Sequence, residues 1–296
     1  METLSKSALL EWCAIPAAEL IDHPQRRVPF RMVEDSTEMG RVMAEELVDA
    51  VVEARGEGRG LRVILPCGPM AWMAPFARII NDRKVSLHDL EVFHMDECLD
   101  WQGREIAHDH PYSFRGTMER EFYGALDEEL RPALELRHWL TPETYLDMSA
   151  ELIANPADLA YGGWGQDGHV AYNQTRRNPF SEISVEDLRN STARIQDNNV
   201  DTIVALSQRT LGGAYQFVPP MSVTLGMREI LGARRVRLFS DTGAWKQTAL
   251  RVALFGQPTA EYPVTLLQDH PDALLTATKA TAEHAISLNP QWVAAL

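Results

Sequence analysis

The stretch Gly162-Gly163-Trp164-Gly165-Gln166-Asp167-Gly168-His169-Val170-Ala171-Tyr172-Asn173 places an acid and an imidazole two residues apart in a glycine-rich turn. It follows residues 157–161, whose apolar character predicts a short buried strand, so the glycines fall where a parallel strand ends and a loop opens. Ligands of open α/β sheets bind at that edge. Glycines allow a ligand to approach the backbone, and Asp167 with His169 can exchange protons without a metal. The stretch therefore predicts a catalytic site; the alternative is a turn with one solvated acid and one capped histidine.

The composition predicts one soluble, cytoplasmic enzyme domain. The chain has 296 residues, 45% of them hydrophobic, which is enough for one large core or at most two. A net charge of −14 argues against a nucleic-acid partner, because phosphate binding needs a basic face. Cys13, Cys67 and Cys98 are too few for a disulfide framework or a zinc site. No apolar run reaches membrane-spanning length, and the amino terminus lacks the pattern of a signal peptide.

Strand and helix patterns alternate along the chain. Asp35 to Glu38 has the spacing of a capping box, and the apolar residues from Met39 to Val51 recur at helical spacing. The alternation predicts a mostly parallel sheet with helices on both faces. The predicted strands cover 61–65, 90–94, 202–206, 236–239 and 263–267, and further helices run through 76–80 and cover 222–231 and 244–255.

The glycine-rich stretch resembles the G-x-G-x-D-G-H-I-A-F-N-E-P signature of glucosamine-6-phosphate deaminases and, more distantly, the G-x-G-x-D-G-H of 6-phosphogluconolactonases. Other blocks agree in the family's order: Leu65-Pro66-Cys67-Gly68 with L-P-T-G, Phe93-His94-Met95-Asp96-Glu97 with F-N-M-D-E, then His110-Pro111, Ser113-Phe114, Phe122-Tyr123, Val223-Thr224-Leu225-Gly226 and Leu267-Gln268-Asp269-His270-Pro271. The resemblance runs from about residue 35 to about residue 280. Residues 1–30 are expected to form an extension that packs on the core or on a neighbouring subunit, and 31–296 a single catalytic domain.

The resemblance implies a Rossmann-like three-layer α/β sandwich of the deaminase, ribose-phosphate isomerase and CoA-transferase type. It implies aldose–ketose proton transfer on an amino-sugar phosphate with release of ammonia, no cofactor, and a homo-oligomer. Asp96 would move the C2 proton, and His169, oriented by Asp167, would assist ring opening. The catalytic residues carried over are Asp96, Asp167, His169 and Gln174, and the substrate-binding ones are Cys67, Gly68, Glu97, Gly163, Gly165, Arg209 and Lys246. Arg209 and Lys246 would form the phosphate clamp.

The chain departs from the family pattern at two places that touch the chemistry. Leu65-Pro66-Cys67-Gly68-Pro69-Met70 is shorter than the family's L-P-T-G-G-T-P, and Pro69 removes an N–H donor, so the anion pocket should differ. The family's N-E-P is replaced by Asn173-Gln174-Thr175, which takes a carboxylate away from His169. The sequence therefore predicts either slower ring opening or a different substrate. Residues 176–199 also depart from the family, and the resemblance assigns no regulatory site to them.

Five alternatives remain open from the sequence. An isomerase without deamination and a 6-phosphogluconolactonase are the nearest enzymes, although Met95-Asp96-Glu97 and Ala171-Tyr172-Asn173 resemble the deaminase branch better. A sugar-phosphate sensor would need a helix-turn-helix module, for which residues 1–30 are too short. A metal hydrolase or a cysteine nucleophile at Cys67 or Cys98 is disfavoured, since no metal-ligand order and no partner histidine is evident. The residues considered for a metal are His94, Asp96, His108, Asp109 and His110.

Overall fold

The computed structural model describes residues 4–175, 180 and 182–295. Its ten strands are β1 Phe30–Val33, β2 Arg62–Leu65, β3 Glu91–His94, β4 Asp96–Leu99, β5 Arg137–His138, β6 Leu159–Gly163, β7 Arg194–Asp197, β8 Met221–Thr224, β9 Arg235–Ser240 and β10 Ala273–Thr278. Seven of these form a parallel sheet in the order β1-β10-β9-β6-β2-β3-β5, and β4, β8 and β7 form a small antiparallel sheet. The predicted mostly parallel sheet is confirmed.

Helices cover both faces of the large sheet. They are α1 Lys6–Ala14, α2 Ser36–Gly56, α3 Met73–Arg83, α4 Phe114–Thr117, α5 Tyr145–Ala154, α6 Val185–Arg189, α7 Val200–Thr210, α8 Met227–Gly232, α9 Gln247–Phe255, α10 Lys279–Ala282 and α11 Ala285–Leu288. A π-helix spans Met118–Tyr123, and 3₁₀ helices include Gly243–Lys246 and Pro263–Asp269. No helix of the described ranges is long and apolar enough to span a membrane.

Successive side chains along a strand contribute alternately to two separate hydrophobic cores, one on each face of the sheet. In β2, Val63 and Leu65 face the α2 and α3 layer, whereas Ile64 faces the layer that contains α8 and α9. Strand β2 is therefore buried on both sides, as expected for a central strand of a parallel sheet. The result is the predicted three-layer α/β sandwich.

Helix α2 begins where the sequence predicts. The Asp35 side chain accepts a hydrogen bond from the Glu38 N–H at 2.9 Å, and the Glu38 carboxylate accepts one from the Glu34 N–H at 2.7 Å. The apolar stripe is buried, including Met39, Met43 and Leu47. The helices predicted around 76–80 and 244–255 are also found, the second one beginning as a 3₁₀ turn.

Three predicted elements are wrong. Residues 202–206 lie in helix α7, and residues 263–267 lie in a 3₁₀ helix that has Pro263 in its first turn. Residues 222–224 belong to strand β8, so the helix predicted over 222–231 begins only at Met227. In each case tertiary packing overrides a local preference.

Residues 4–30 pack on the body of the protein. Helix α1 contacts α9 and α11, and Cys13 is buried there. The guanidinium of Arg251, in α9, donates hydrogen bonds to the carbonyls of Ile15 at 2.9 Å and Ala282 at 2.7 Å. The division into an extension of residues 1–30 and a domain of residues 31–296 stays a prediction. Within the segment 176–199, residues 176–179 and 181 lie outside the described residues.

Candidate active site

The loops that carry the predicted site leave the carboxyl edge of the parallel sheet. They follow β2, β3, β6 and β9. The order in which strands are added to the sheet reverses between β2 and β6, because β3 lies on one side of β2 whereas β6 and β9 lie on the other. Such a reversal opens a crevice for a ligand. A cleft of about 440 Å³ lies there, lined by Gly68, Pro69, Met70, Gly165, Gln166, His169, Tyr172, Thr202, Ala205, Leu206, Arg209, Asp241, Thr242, Trp245 and Lys246.

Asp167 and His169 form a close pair in the loop after β6. The His169 Nδ1 lies 2.6 Å from Oδ1 of Asp167. Burial alone would raise the pKa of Asp167, but the attraction and hydrogen bonds of His169 outweigh it and lower that pKa. An ionised carboxylate only accepts hydrogen bonds, so Nδ1 carries the proton and the other ring nitrogen, Nε2, is left to exchange protons with a ligand. This orientation suits a general acid–base catalyst.

Gly165 is required by the position of the His169 ring. A Cβ added at residue 165 would lie 2.1 Å from Cε1 of His169, which no side chain tolerates. The Gly165 N–H also donates to the His169 carbonyl at 2.8 Å, so the loop closes tightly on itself. The buried amide of Asn173 fixes the other end of the loop by donating to the carbonyls of Val170 at 3.0 Å and Leu225 at 2.9 Å.

The Gly165→Ala variant is expected to be less stable than the parent by about 1–3 kcal/mol, the usual cost of overpacking a close contact. Urea unfolding measures this free energy. Gly56→Ala is the matched control, because nothing lies within 4 Å of a Cβ at that helical position, and it should leave stability unchanged or slightly raised. Equal stability of Gly165→Ala and parent would contradict the close contact with His169.

Gln174 connects the loop after β6 to α7. Its Nε2 donates to the Thr202 hydroxyl at 2.7 Å, and its Oε1 accepts from the Asn199 N–H at 2.9 Å. The same Nε2 lies 3.3 Å from Nδ1 of His169. Since Nδ1 already donates to Asp167, the amide adds no acceptor for that proton. Gln174 therefore positions the loop and the start of α7 without adding negative charge.

Asp96 lies beside the cleft in a smaller cavity that also contacts Cys67, Arg115 and Trp139. Cys67 borders this cavity and the next residue, Gly68, borders the cleft, so the loop after β2 separates the two spaces. Loss of hydration, reinforced by the neighbouring Glu97 carboxylate, raises the pKa of Asp96 to about 8. A carboxylate with such a pKa is poised to act as a general base near neutral pH.

Glu97 is fully engaged by backbone N–H groups. It accepts from Cys98 at 2.8 Å, Phe114 at 2.8 Å and Arg115 at 2.6 Å, which fixes the first turn of α4. Burial raises the pKa of Glu97, and these hydrogen bonds oppose the rise. Its predicted substrate contact, like that of Gly163 at the end of β6, stays a prediction.

Arg209 and Lys246 reach the same cleft from α7 and from the turn after β9. Loss of hydration and the nearby Arg209 cation lower the pKa of Lys246 to about 8, which shows that the two cations act on each other. In the described part of the chain neither forms an ion pair. Two cations that share one cleft and form no ion pair with a described residue favour an anionic ligand.

The geometry gives little support to metal or cysteine chemistry. His94 is buried, stacks on Trp139 at 3.8 Å and lies 3.0 Å from the Tyr123 hydroxyl. Across the described ranges no three His, Cys, Asp or Glu side chains are close enough to hold a metal. Burial raises the pKa of both Cys67 and Cys98, with nearby carboxylates adding to the rise, so neither thiol ionises readily.

The sequence missed part of the cleft lining. Asp241 and Thr242 directly follow β9, and Trp245 lies on the turn that holds Lys246. Asp241, like Asp96, comes two residues after a predicted strand, and a carboxylate at the end of a strand is a signal that could have identified it. Thr202 was missed because residues 202–206 were assigned to a strand.

Comparison with solved structures identifies the class of fold. The chain superimposes on a monomeric glucosamine-6-phosphate deaminase with a TM-score of 0.71 and 18% identity, over 86% of this chain and 98% of that chain. It superimposes on 6-phosphogluconolactonase from Trypanosoma cruzi with a TM-score of 0.60 and 16% identity, over 86% and 95%. The architecture is therefore the one shared by these two groups of enzymes.

Comparison with curated sequences shows to which enzyme family the chain belongs. The chain is 30% identical to glucosamine-6-phosphate deaminase of Parabacteroides distasonis over 226 residues, 73% of this chain and 76% of that protein. It is 27% identical to the deaminase of Vibrio cholerae over 266 residues, 87% and 92% of the two chains. A scan against models of protein families finds no match. The chain belongs to the glucosamine-6-phosphate deaminase family, which confirms the resemblance seen in the sequence.

Proposed function

We propose that the protein converts an amino-sugar phosphate, with glucosamine 6-phosphate as the reference substrate, to a ketose phosphate and ammonia. The observation that carries this proposal is the cleft in which the Asp167–His169 pair and the cations Arg209 and Lys246 meet, next to Asp96 with its raised pKa. A phosphate bound to the two cations would place a sugar along the loop that carries Asp167 and His169. The named relatives support this substrate.

Each step of the proposed reaction has a residue suited to it. Nε2 of His169 moves a proton between the ring oxygen and the C1 hydroxyl, and Asp167 stabilises the imidazolium that forms. Asp96 removes the C2 proton of the open-chain sugar and returns a proton at C1. Protonation at C1 leaves an iminium group at C2. Water adds to that carbon, and ammonia leaves as the ketose carbonyl forms. Asp96 must reach this carbon past Cys67 and Gly68, so the substrate lies against that loop.

A ligand screen by thermal shift tests the substrate class. Glucosamine 6-phosphate should raise the melting temperature once its concentration exceeds the dissociation constant, and unphosphorylated glucosamine should not. Sugar acids and other sugar phosphates complete the panel. A melting temperature that responds to the unphosphorylated sugar as strongly as to the phosphate would contradict the proposed clamp.

Gln174 favours a second candidate function, isomerisation of a sugar phosphate without loss of ammonia. The family signature has glutamate at this position, whereas this chain has an amide that already satisfies Thr202 and Asn199. A pocket arranged around a neutral side chain is consistent with a substrate that needs less help in ring opening.

The Gln174→Glu variant separates the two candidates. If the protein is a deaminase, a carboxylate 3.3 Å from Nδ1 of His169 should favour the imidazolium and raise glucosamine 6-phosphate turnover about tenfold per pKa unit of added stabilisation. If the pocket has diverged, the variant should lose activity on its own substrate and gain no deaminase activity. Parallel assays of ammonia and ketose distinguish the outcomes, and thermal unfolding serves as the control for folding.

We also propose that the enzyme acts in the cytoplasm as a homo-oligomer, without a nucleic-acid partner. The net charge of −14 opposes phosphate backbones, and the three free cysteines suit a reducing compartment. Light scattering after size exclusion should give a mass that is a multiple of the 33.3 kDa chain. A monomeric mass would contradict the oligomer.

A further inference from the structure

Asp241 occupies a position in the cleft to which the reaction assigns no role. It directly follows strand β9 and lines the cleft beside Thr242, Trp245 and Lys246. Its Oδ2 accepts a hydrogen bond from the Ser36 hydroxyl at 2.7 Å, at the first residue of α2. One carboxylate oxygen is thus held by the scaffold, which fixes the orientation of the group at the cleft wall.

Asp241 offsets part of the positive charge of the clamp. Of the described residues that line the cleft, Arg209 and Lys246 are cations and Asp241 is the one carboxylate. Loss of hydration and Arg209 lower the pKa of Lys246, whereas Asp241 and then Asp167 oppose that change, so the Asp241 carboxylate lies close enough to act on the ammonium.

This charge balance matches some ligands better than others. A phosphate dianion that is accompanied by an ammonium group carries one net negative charge. A phosphorylated sugar acid carries a carboxylate in addition to its phosphate. Like charges held near each other in a cleft, where water screens them poorly, repel strongly. Repulsion of this kind is a common way to exclude a related ligand.

We propose that Asp241 is a specificity-determining residue that admits phosphorylated sugars with a neutral or positive second group and rejects those with a second negative charge. The proposal rests on the proposed function only in taking an amino-sugar phosphate as the reference ligand. It gives this site a physical reason to disfavour 6-phosphogluconate, which carries both a carboxylate and a phosphate.

The Asp241→Asn variant tests the proposal because it keeps the size and the acceptor for Ser36 while removing the charge. Dissociation constants are measured by calorimetry for glucosamine 6-phosphate, 6-phosphogluconate and inorganic phosphate. In the variant, the affinity for 6-phosphogluconate should rise at least tenfold relative to each of the other two ligands, a conservative expectation for removing a like charge at short range. Ser36→Ala is the matched control, since it keeps the carboxylate, and it should preserve the affinity ratios of the parent.

Unchanged affinity ratios in Asp241→Asn, or no binding of any of the three ligands by the parent, would overturn the proposal. Affinities that fall together for all ligands would mean a purely structural role and would also overturn it. A selective gain for 6-phosphogluconate over inorganic phosphate supports the charge selection even if the parent releases no ammonia from glucosamine 6-phosphate. Failure of the proposed function is therefore distinguishable from failure of this inference.

Discussion

Replacing Asp96 with asparagine is expected to lower turnover, and the exchange of the substrate C2 proton with solvent deuterium, by at least about a hundredfold, the usual scale for a general base. The amide keeps the size of the side chain and removes its basicity. Exchange is followed by NMR and turnover by ketose formation. Asp100→Asn is the matched control, because Asp100 follows the same strand β4 but pairs with Arg104 away from the cleft. Retention of most of the exchange in Asp96→Asn would contradict the assignment.

The same assignment predicts the pH dependence of the reaction. The pKa of Asp96 is raised to about 8, and its basic form exists above that pH. The pKa of Lys246 is lowered to about 8, and its cationic form exists below that pH. Because kcat/KM reports the ionisation of the free enzyme, it should pass through a narrow maximum near pH 8 and fall on both sides. In Asp96→Asn the fall on the acid side should disappear.

The second large effect is expected from substitutions in the proposed phosphate clamp. Replacing either Arg209 or Lys246 with alanine should weaken binding of the phosphorylated substrate by roughly 1.5–3 kcal/mol, which is typical for a charge-assisted hydrogen bond. Binding calorimetry measures the loss. Arg234→Ala is a suitable control, since this exposed arginine precedes β9 and lies near Asp158, outside the cleft lining.

Unphosphorylated glucosamine provides the complementary check on the clamp. It should bind poorly to the parent and should be nearly indifferent to either alanine variant, because it lacks the group that the cations recognise. Equal affinity of the parent for the phosphorylated and unphosphorylated sugar would refute the clamp and direct attention to another class of substrate.

The sheet and the glycine-rich loop after β6 could be predicted because their signals are local. Strands β2, β3, β6 and β9 are short apolar runs that end in glycine, proline or acidic residues, and the acid–imidazole pair lies two residues apart in one loop. The carboxyl ends of parallel strands meet at one edge, so the sequence also indicated that these loops converge. The presence of glycine at position 165 of this motif is explained by one contact, the approach of the His169 ring to the place where a Cβ would lie.

The errors arose where tertiary contacts decide the backbone. Thr202-Ile203-Val204 has the β-branched character of a strand, but Thr202 and Ala205 are buried at helical spacing and Val204 is exposed, so α7 covers the cleft. In the other case the Thr265 hydroxyl donates to the Tyr262 carbonyl at 2.7 Å and accepts from the Thr259 N–H at 2.9 Å, which stabilises a compact turn. The one local signal in these segments is Pro263, which lies in the first turn of the 3₁₀ helix and favours a helix start over the predicted strand.

The position of Asp96 relative to the cleft also could not be predicted from the sequence. The motif order places Asp96 and His169 at one sheet edge, but it does not show that the Cys67–Gly68 loop separates their cavities. Such separations are set by packing rather than by residue spacing.

Simultaneous measurement of ammonia and ketose phosphate formed from glucosamine 6-phosphate tests the central claim most directly. The proposed reaction predicts equal amounts of the two products, with both rates falling together in Asp96→Asn. A parent that forms neither product from glucosamine 6-phosphate, yet interconverts an unaminated aldose phosphate and its ketose, would contradict deamination while leaving Asp96 in its role as a base. A parent that forms neither product, yet hydrolyses 6-phosphogluconolactone, would contradict the proposed function altogether.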